Sequence, residues 1–404
     1  MLILEDYKKL SKDIYIIFIV QLINRFGDFV VPFLTLFFTE KLNLPINVVG
    51  ILITLISLIS LPAFFLGGKL SDVIGHKKIY IIFQSISSIF LFVIPIINNK
   101  YLKILFIIIS TFFNNAARPS INGIIIESTN EKERKIAFSL QYIGINLGVA
   151  IGPIVGGFLF NNYLSLIFLG DALTSLIAVV LVFFNIGNAN INKDTFKYVK
   201  TNKEDSEQNL LNILKNKYSI KVVLIIYTIY SFVYCQYKFS LPITLNYKFG
   251  DSSVQFYGVL MSINAISVIL FTIFINKITN KFNSITNIAI AGMFYAFGFG
   301  FIGIISKKFF FLISTLLWSI GEILISTNLN VFLANNSPSK FKARINSLGS
   351  FCMNVGVILG TFLAAKYINS FGISNFWNLI FVIALVASII LFILNIYIKR
   401  SVSK

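Results

Sequence analysis

Twelve stretches of this chain, each of roughly twenty residues, are apolar enough to cross a bilayer as helices. They lie near 14–38, 47–68, 79–97, 104–126, 138–160, 164–188, 221–246, 253–275, 284–305, 309–333, 345–368 and 375–398. A chain used up in this way is an all-α polytopic membrane protein. Its composition agrees, with 56% hydrophobic residues, 12% charged residues and a mean hydropathy of +0.83. The first stretch carries Arg25 and Asp28 and has no small-residue cleavage site, so it reads as a retained helix rather than a signal peptide.

Twelve spans place both termini on one side, and the cations say which. With the N-terminus inside, the inner segments hold 24 Lys and Arg and the outer loops six. Both ends are therefore expected in the cytoplasm of a cell membrane. The same bias accounts for much of the net charge of +18, so the basicity is no nucleic-acid footprint. Cys235 and Cys352 sit in predicted spans and read as small apolar residues. The lone His76 falls in a basic loop and reads as solvated. One His and two scattered Cys leave no metal cluster or nucleophile–base set, so neither an enzyme nor a metal or cofactor site is expected. Abundant Ile, Asn and Lys fit an AT-rich bacterial genome.

The two halves of the chain match at one offset. Asn146-Leu-Gly148-Val-Ala-Ile-Gly152 returns 208 residues later as Asn354-Val-Gly356-Val-Ile-Leu-Gly360, and Lys69-Leu-Ser-Asp72 returns as Lys277-Ile-Thr-Asn280. The expected organisation is two pseudo-symmetric six-helix bundles, 1–188 and 221–404, joined by a charged cytoplasmic linker at 189–220 with a short amphipathic stretch at Leu210–Leu214. Parallel repeats of this kind mark transporters.

Residues 68–78 read Gly-Lys-Leu-Ser-Asp-Val-Ile-Gly-His-Lys-Lys. Gly75 permits a tight turn there. Asp72 is placed to accept from a neighbouring helix N-terminus or to pair with a cation such as Arg134, a latch between helices that must later part. This segment resembles the loop motif of the major facilitator superfamily, Gly-x-Leu-x-Asp-x-x-Gly-x-(Arg/Lys)-(Arg/Lys), matched at Gly68, Leu70, Asp72, Gly75, Lys77 and Lys78. In the fifth stretch Gly144, Gly148, Gly152 and Gly156 recur every fourth residue, a bare stripe for close helix packing, and Pro153 removes one helix hydrogen bond. Gly148, Gly152, Pro153, Gly156 and Gly157 resemble the fifth-helix motif of that superfamily's drug–proton antiporters, which implies export. One departure is that many such antiporters have an Arg about where Ile107 stands, whereas this chain has Arg118. A second resemblance is to proton-coupled peptide transporters, through Asn24-Arg25-Phe26, Arg118-Pro119, Gln236 and Gly321-Glu322-Ile323. That family's two helix-1 glutamates are here Gln21 and Asn24.

Charges within a bilayer cost about 2.5–3.5 kcal/mol each on insertion scales and are functional candidates by default. Arg25 and Asp28 share a face of the first stretch. Polar stripes run through Asn114, Arg118 and Asn122 on the fourth, through Tyr227, Ser231, Tyr234 and Lys238 on the seventh, and through Trp318, Glu322, Ser326 and Asn330 on the tenth. The superfamily resemblance implies that these four helices line a central cavity, with Gln236 also facing it. Glu322 has no cation on its own helix and is the first choice for proton coupling, followed by Asp28. Asp171 is expected to hold a structural hydrogen bond. The expectation is a monomeric secondary active transporter that exports small amphipathic molecules, multidrug-type, in exchange for protons. Proton-coupled uptake of peptides or a related metabolite is the alternative.

Overall fold

A computed structural model describes residues 10–187, 218–336 and 342–402. The linker expected at 189–220 falls outside them except for its last residues, which open the seventh span at Tyr218. Eleven helical stretches are long and apolar enough to span a membrane. One of these, Tyr218–Thr279, is 62 residues long. At about 1.5 Å per residue that is about three times the hydrocarbon thickness. A 3-10 turn at Gly250–Ser252, with Gly250 at φ +53°, divides it into two passes and brings the total to twelve.

The spans are Lys12–Phe26 continued by Val30–Leu36, Ile46–Ile74, His76–Val93, Lys100–Glu127, Glu131–Asn162, Leu164–Asn185, Tyr218–Tyr234 continued by Ser240–Phe249, Ser253–Thr279, Ser284–Gly300, Lys308–Asn336, Lys342–Phe371 and Ile373–Val402. Their packing repeats. Spans 1 and 5, 1 and 6, 3 and 4, and 3 and 6 pack together, and the same four pairings recur with every number raised by six. The glycines explain the first of these. A Cβ at Gly148 would lie 2.6 Å from the Leu22 carbonyl oxygen, and one at Gly152 2.6 Å from that of Phe26. Only hydrogen fits, so spans 1 and 5 meet backbone to backbone. In the second half Gly356 meets Thr228 in the same manner, and a Cβ at Gly360 would stand 2.9 Å from the Phe232 carbonyl.

By packing, the described residues form two compact units. The first takes in 10–45, 55–187 and 245–269, and the second 46–54, 218–244, 270–336 and 342–402. The start of span 2 thus packs with the second unit, and span 8 packs mainly with the first. The first unit is cored by β-branched residues, among them Ile14, Ile17, Val20, Ile121 and Ile125. The second is cored by rings. Phe299 is stacked on Trp318 at 5.5 Å and Trp377 at 6.3 Å, and the Trp377 indole donates to Thr244 at 2.9 Å.

Candidate functional site: two broken helices and an aromatic cavity

Spans 1 and 7 are both interrupted, at matching places. Span 1 leaves helical geometry after Phe26, and Cys235, 208 residues after Gly27, begins the 3-10 turn Cys235–Tyr237 that breaks span 7. Neither break contains proline. A side chain at Gly27 would collide with Thr174, so only glycine fits there. Each break frees backbone groups that must be satisfied by protein, since lipid offers nothing. At the first, the fully buried Asp171 carboxylate of span 6 accepts the Val30 N–H at 3.2 Å. At the second, Gln236 is wholly buried. It donates to the carbonyls of Phe232 at 2.9 Å and Gly360 at 3.2 Å and accepts the Ser240 hydroxyl at 2.6 Å. Interrupted helices in corresponding positions of two repeats are the strongest geometric pointer to a transport site.

In the second unit the break adjoins a cavity of about 320 Å³. Tyr227, Ser231, Tyr234 and Lys238 from span 7 line it together with Glu322 and Ser326 from span 10. Tyr230, Tyr237 and Tyr295 complete an aromatic wall. The rings brace one another, with Tyr234 stacked on Tyr295 at 5.7 Å and Lys238 Nζ 5.2 Å above the centroid of Tyr237. Small residues make the room. A Cβ at Gly321 would lie 2.6 Å from the Tyr295 ring, and one at Gly292 would meet the Tyr230 hydroxyl. Glu322 lies within electrostatic reach of Tyr234 and Tyr295, so the carboxylate stands beside the rings.

In the first unit, Arg25 Nη1 holds Asp28 Oδ2 at 3.1 Å beside the break. Arg118 is exposed, with Arg25 and Asp28 as its electrostatic neighbours. Asn122, expected in the same stripe, accepts from Gln141 at 3.2 Å.

The loop between spans 2 and 3 turns at Gly75, whose φ of +108° is open to glycine and strained for other residues. Lys77 donates to the Ile186 carbonyl at 2.6 Å, which ties the start of span 3 to the end of span 6.

Three expectations need correction. Gln236 does not line the cavity, because its amide is consumed in sealing the helix break. Trp318 stands behind the lining, wholly buried and stacked on Tyr237 at 5.6 Å. His76 is not a solvated loop residue. Its side chain is 16% exposed, with Nε2 3.6 Å from Glu127 and 4.0 Å from Asp72. Gly123 leaves the space that the imidazole fills. His76, and not Arg134, is thus the basic side chain facing Asp72 among the described residues. Tyr227, Tyr230 and Tyr234 follow from helical spacing. Tyr295 was missed because span 9 carries no polar stripe, and the only trace of it in the sequence is the glycine opposite, Gly321.

The Major Facilitator Superfamily model matches residues 17–361. An uncharacterised MFS-type transporter of Bacillus subtilis (strain 168), YqjV, is 20% identical over 356 residues, covering 85% of this chain and 82% of that protein. A Na(+), Li(+), K(+)/H(+) antiporter of Planococcus maritimus is 25% identical over 161 residues, 38% of this chain and 37% of its own. Among solved structures, a POT family transporter in complex with a thioalcohol-conjugated peptide superposes with a TM-score of 0.74 at 16% identity, covering 95% of this chain and 96% of that one. The nucleoside transporter NupG superposes with a TM-score of 0.75 at 14% identity, covering 95% and 98%. With paired broken helices, a repeated packing scheme and a family model spanning most of its length, the chain belongs to the Major Facilitator Superfamily of membrane transporters.

Proposed function

We propose that this transporter exports small amphipathic molecules in exchange for protons by alternating access, as a monomer in a bacterial cell membrane with both termini cytoplasmic. The observation that carries the reading is Glu322, a carboxylate that lines, with Lys238 and a wall of tyrosine rings, a cavity beside a broken helix. A carboxylate whose surroundings alternate during the cycle between protein on one side and water or a cation on the other loads and releases a proton. The aromatic wall offers area for an apolar or ring-bearing substrate. The direction rests on the Gly148–Gly157 motif. The expected residence of residues 189–220 in the cytoplasm belongs to the same proposal.

Proteoliposomes with an imposed pH gradient, offered a chemically diverse panel of substrates, test this reading. Glu322→Gln is expected to abolish pH-driven transport while preserving binding, because the amide mimics the protonated acid. Accumulation driven by the pH gradient in Glu322→Gln would move the proton site elsewhere, with Asp28 the next to test. Inward, proton-driven movement of di- or tripeptides by the wild type would replace export with uptake.

A further inference from the structure

The 208-residue offset pairs positions of the first unit with positions of the second. Leu10, Ile14, Val182 and Ile186 close the seam between spans 1 and 6, and all four are buried. Their counterparts Tyr218, Val222, Ile390 and Leu394 lie along the seam between spans 7 and 12. There Tyr218 is 63% and Ile390 41% exposed, and a groove of about 580 Å³ opens between the two helices. Ile393 and Tyr397 complete its lining. The same place in the fold is filled by protein in one unit and open in the other.

The groove is graded along its length. Of its six lining residues only Tyr218 and Tyr397 carry a polar group, and both stand where span 7 begins and span 12 nears its end. From that mouth Val222 lies one turn along span 7, and the wall on span 12 recedes from 397 to 390, a depth of about 10 Å. Lys221 is one turn from Tyr218, and its long stem lets the ammonium reach back to the mouth. Lys399 and Arg400 follow Tyr397 in the chain by two and three positions. Hydroxyls and a cation above aliphatic walls complement a phosphate group above an acyl chain, and the basic residues select a headgroup of net negative charge.

We propose that this groove binds an anionic phospholipid, with one acyl chain between spans 7 and 12 and the phosphate at Tyr218, Tyr397 and Lys221. The lipid supplies the packing that Leu10, Ile14, Val182 and Ile186 give the first unit. It braces span 7, the helix that carries the second break and the cavity residue Tyr234. The site is separate from the transport cavity. Only its assignment to the cytoplasmic leaflet rests on the orientation proposed above.

The test is thermal unfolding of the purified, delipidated full chain in detergent with four probes. These are dioleoyl phosphatidylglycerol, dioleoyl phosphatidylcholine, dioleoylglycerol, which lacks the phosphate, and glycerol phosphate, which lacks the chains. Phosphatidylglycerol is expected to raise the wild-type melting temperature in a saturable way. Phosphatidylcholine and dioleoylglycerol are expected to raise it distinctly less, and glycerol phosphate not at all. Ile393→Trp fills the groove from a lipid-exposed position. It is expected to melt no lower than wild type without lipid and to lose the response to phosphatidylglycerol. Should it misfold, Ile390→Phe takes its place. Lys221→Gln is expected to weaken phosphatidylglycerol protection by about fivefold and to leave the phosphatidylcholine response unchanged. Equal phosphatidylglycerol protection of wild type and the groove-filled variant overturns the proposal, because the lipid then acts elsewhere. Equal protection by the two phospholipids, protection by glycerol phosphate alone, or protection by no probe overturns it too. A wild-type dimer that Ile393→Trp dissociates, with no lipid response, would assign the groove to a second copy of the chain instead. No readout uses transport or a pH gradient, so the lipid site and the export reading fail separately.

Discussion

A single methyl group at Gly148 would sit 2.6 Å from the carbonyl oxygen of Leu22 and 2.7 Å from the Cβ of Arg25, closer than van der Waals contact allows. No rotamer relieves this, because the obstacle is partly backbone. Gly148→Val is therefore expected to force spans 1 and 5 apart at an overpacking cost of about 1–3 kcal/mol. It also displaces the backbone that carries Arg25. Thermal unfolding in detergent checks this against Gly187→Ala, whose new methyl would meet nothing within 4 Å. Equal melting temperatures for the two variants would show that the stripe is not a close contact. This part of the molecule was legible from residue types alone. Glycine at every fourth position has few uses other than bringing two helices together, and the structure shows the partner. The side chains at the sites were less legible. Helical spacing places Tyr234 and Glu322 on inward faces, yet Trp318, on the face of Glu322, lies one layer too deep to touch the cavity. Spacing gives direction around a helix axis but not depth, which is set by the neighbours that fill the space first.

At the scale of the element, the two breaks matter most, and the sequence marks them only in part. Proline is the usual mark of an interrupted membrane helix; Pro62, Pro119 and Pro153 lie in helices that continue through them, whereas Pro32 and Pro242 stand in the first turn of the helices that resume after the two breaks. The real interruptions carry Gly27 in span 1 and the apolar-looking Cys235 in span 7. Both depend on acceptors or donors from elsewhere in the fold, Asp171 on span 6 and the Gly360 carbonyl on span 11. A pattern confined to one segment cannot reveal a break sealed by another. Asp171→Ala removes the acceptor for Val30 and leaves a buried N–H unpaired, at about 1–3 kcal/mol. The expected outcome is a lower melting temperature with span 1 more accessible to a thiol reagent at an introduced cysteine in 27–30. Asp171→Asn retains a carbonyl oxygen facing Val30 and is expected to lose much less. If Asp171→Ala is as stable as wild type, the carboxylate is not what holds the break.

For the molecule as a whole, the repeat was the most legible feature. One offset of 208 residues aligns the loop motif, the glycine stripe and the helix breaks, and the packing pairs advance by six in step. Sidedness rests on charge. Tags at both termini are expected to resist protease added outside intact cells, given 24 cations against six, and cleavage of either tag would contradict the proposed orientation.

The contact pattern of span 8 has a consequence for how the protein is made. Residues 245–269 belong to the first compact unit, and there Gly258 lies against the carbonyl of Pro153, while a Cβ at Gly157 would approach the Val254 carbonyl to 3.0 Å. The fifth span leaves the ribosome about a hundred residues before this neighbour, which at about 5–20 residues per second is a wait of about 5–20 s. During that wait its glycine-lined surface faces lipid or the insertion machinery. The first unit closes only when synthesis is well into the second repeat, so the early spans ripen late, and a nascent chain stalled before the eighth span presents an unfinished seam to the quality-control proteases of the membrane.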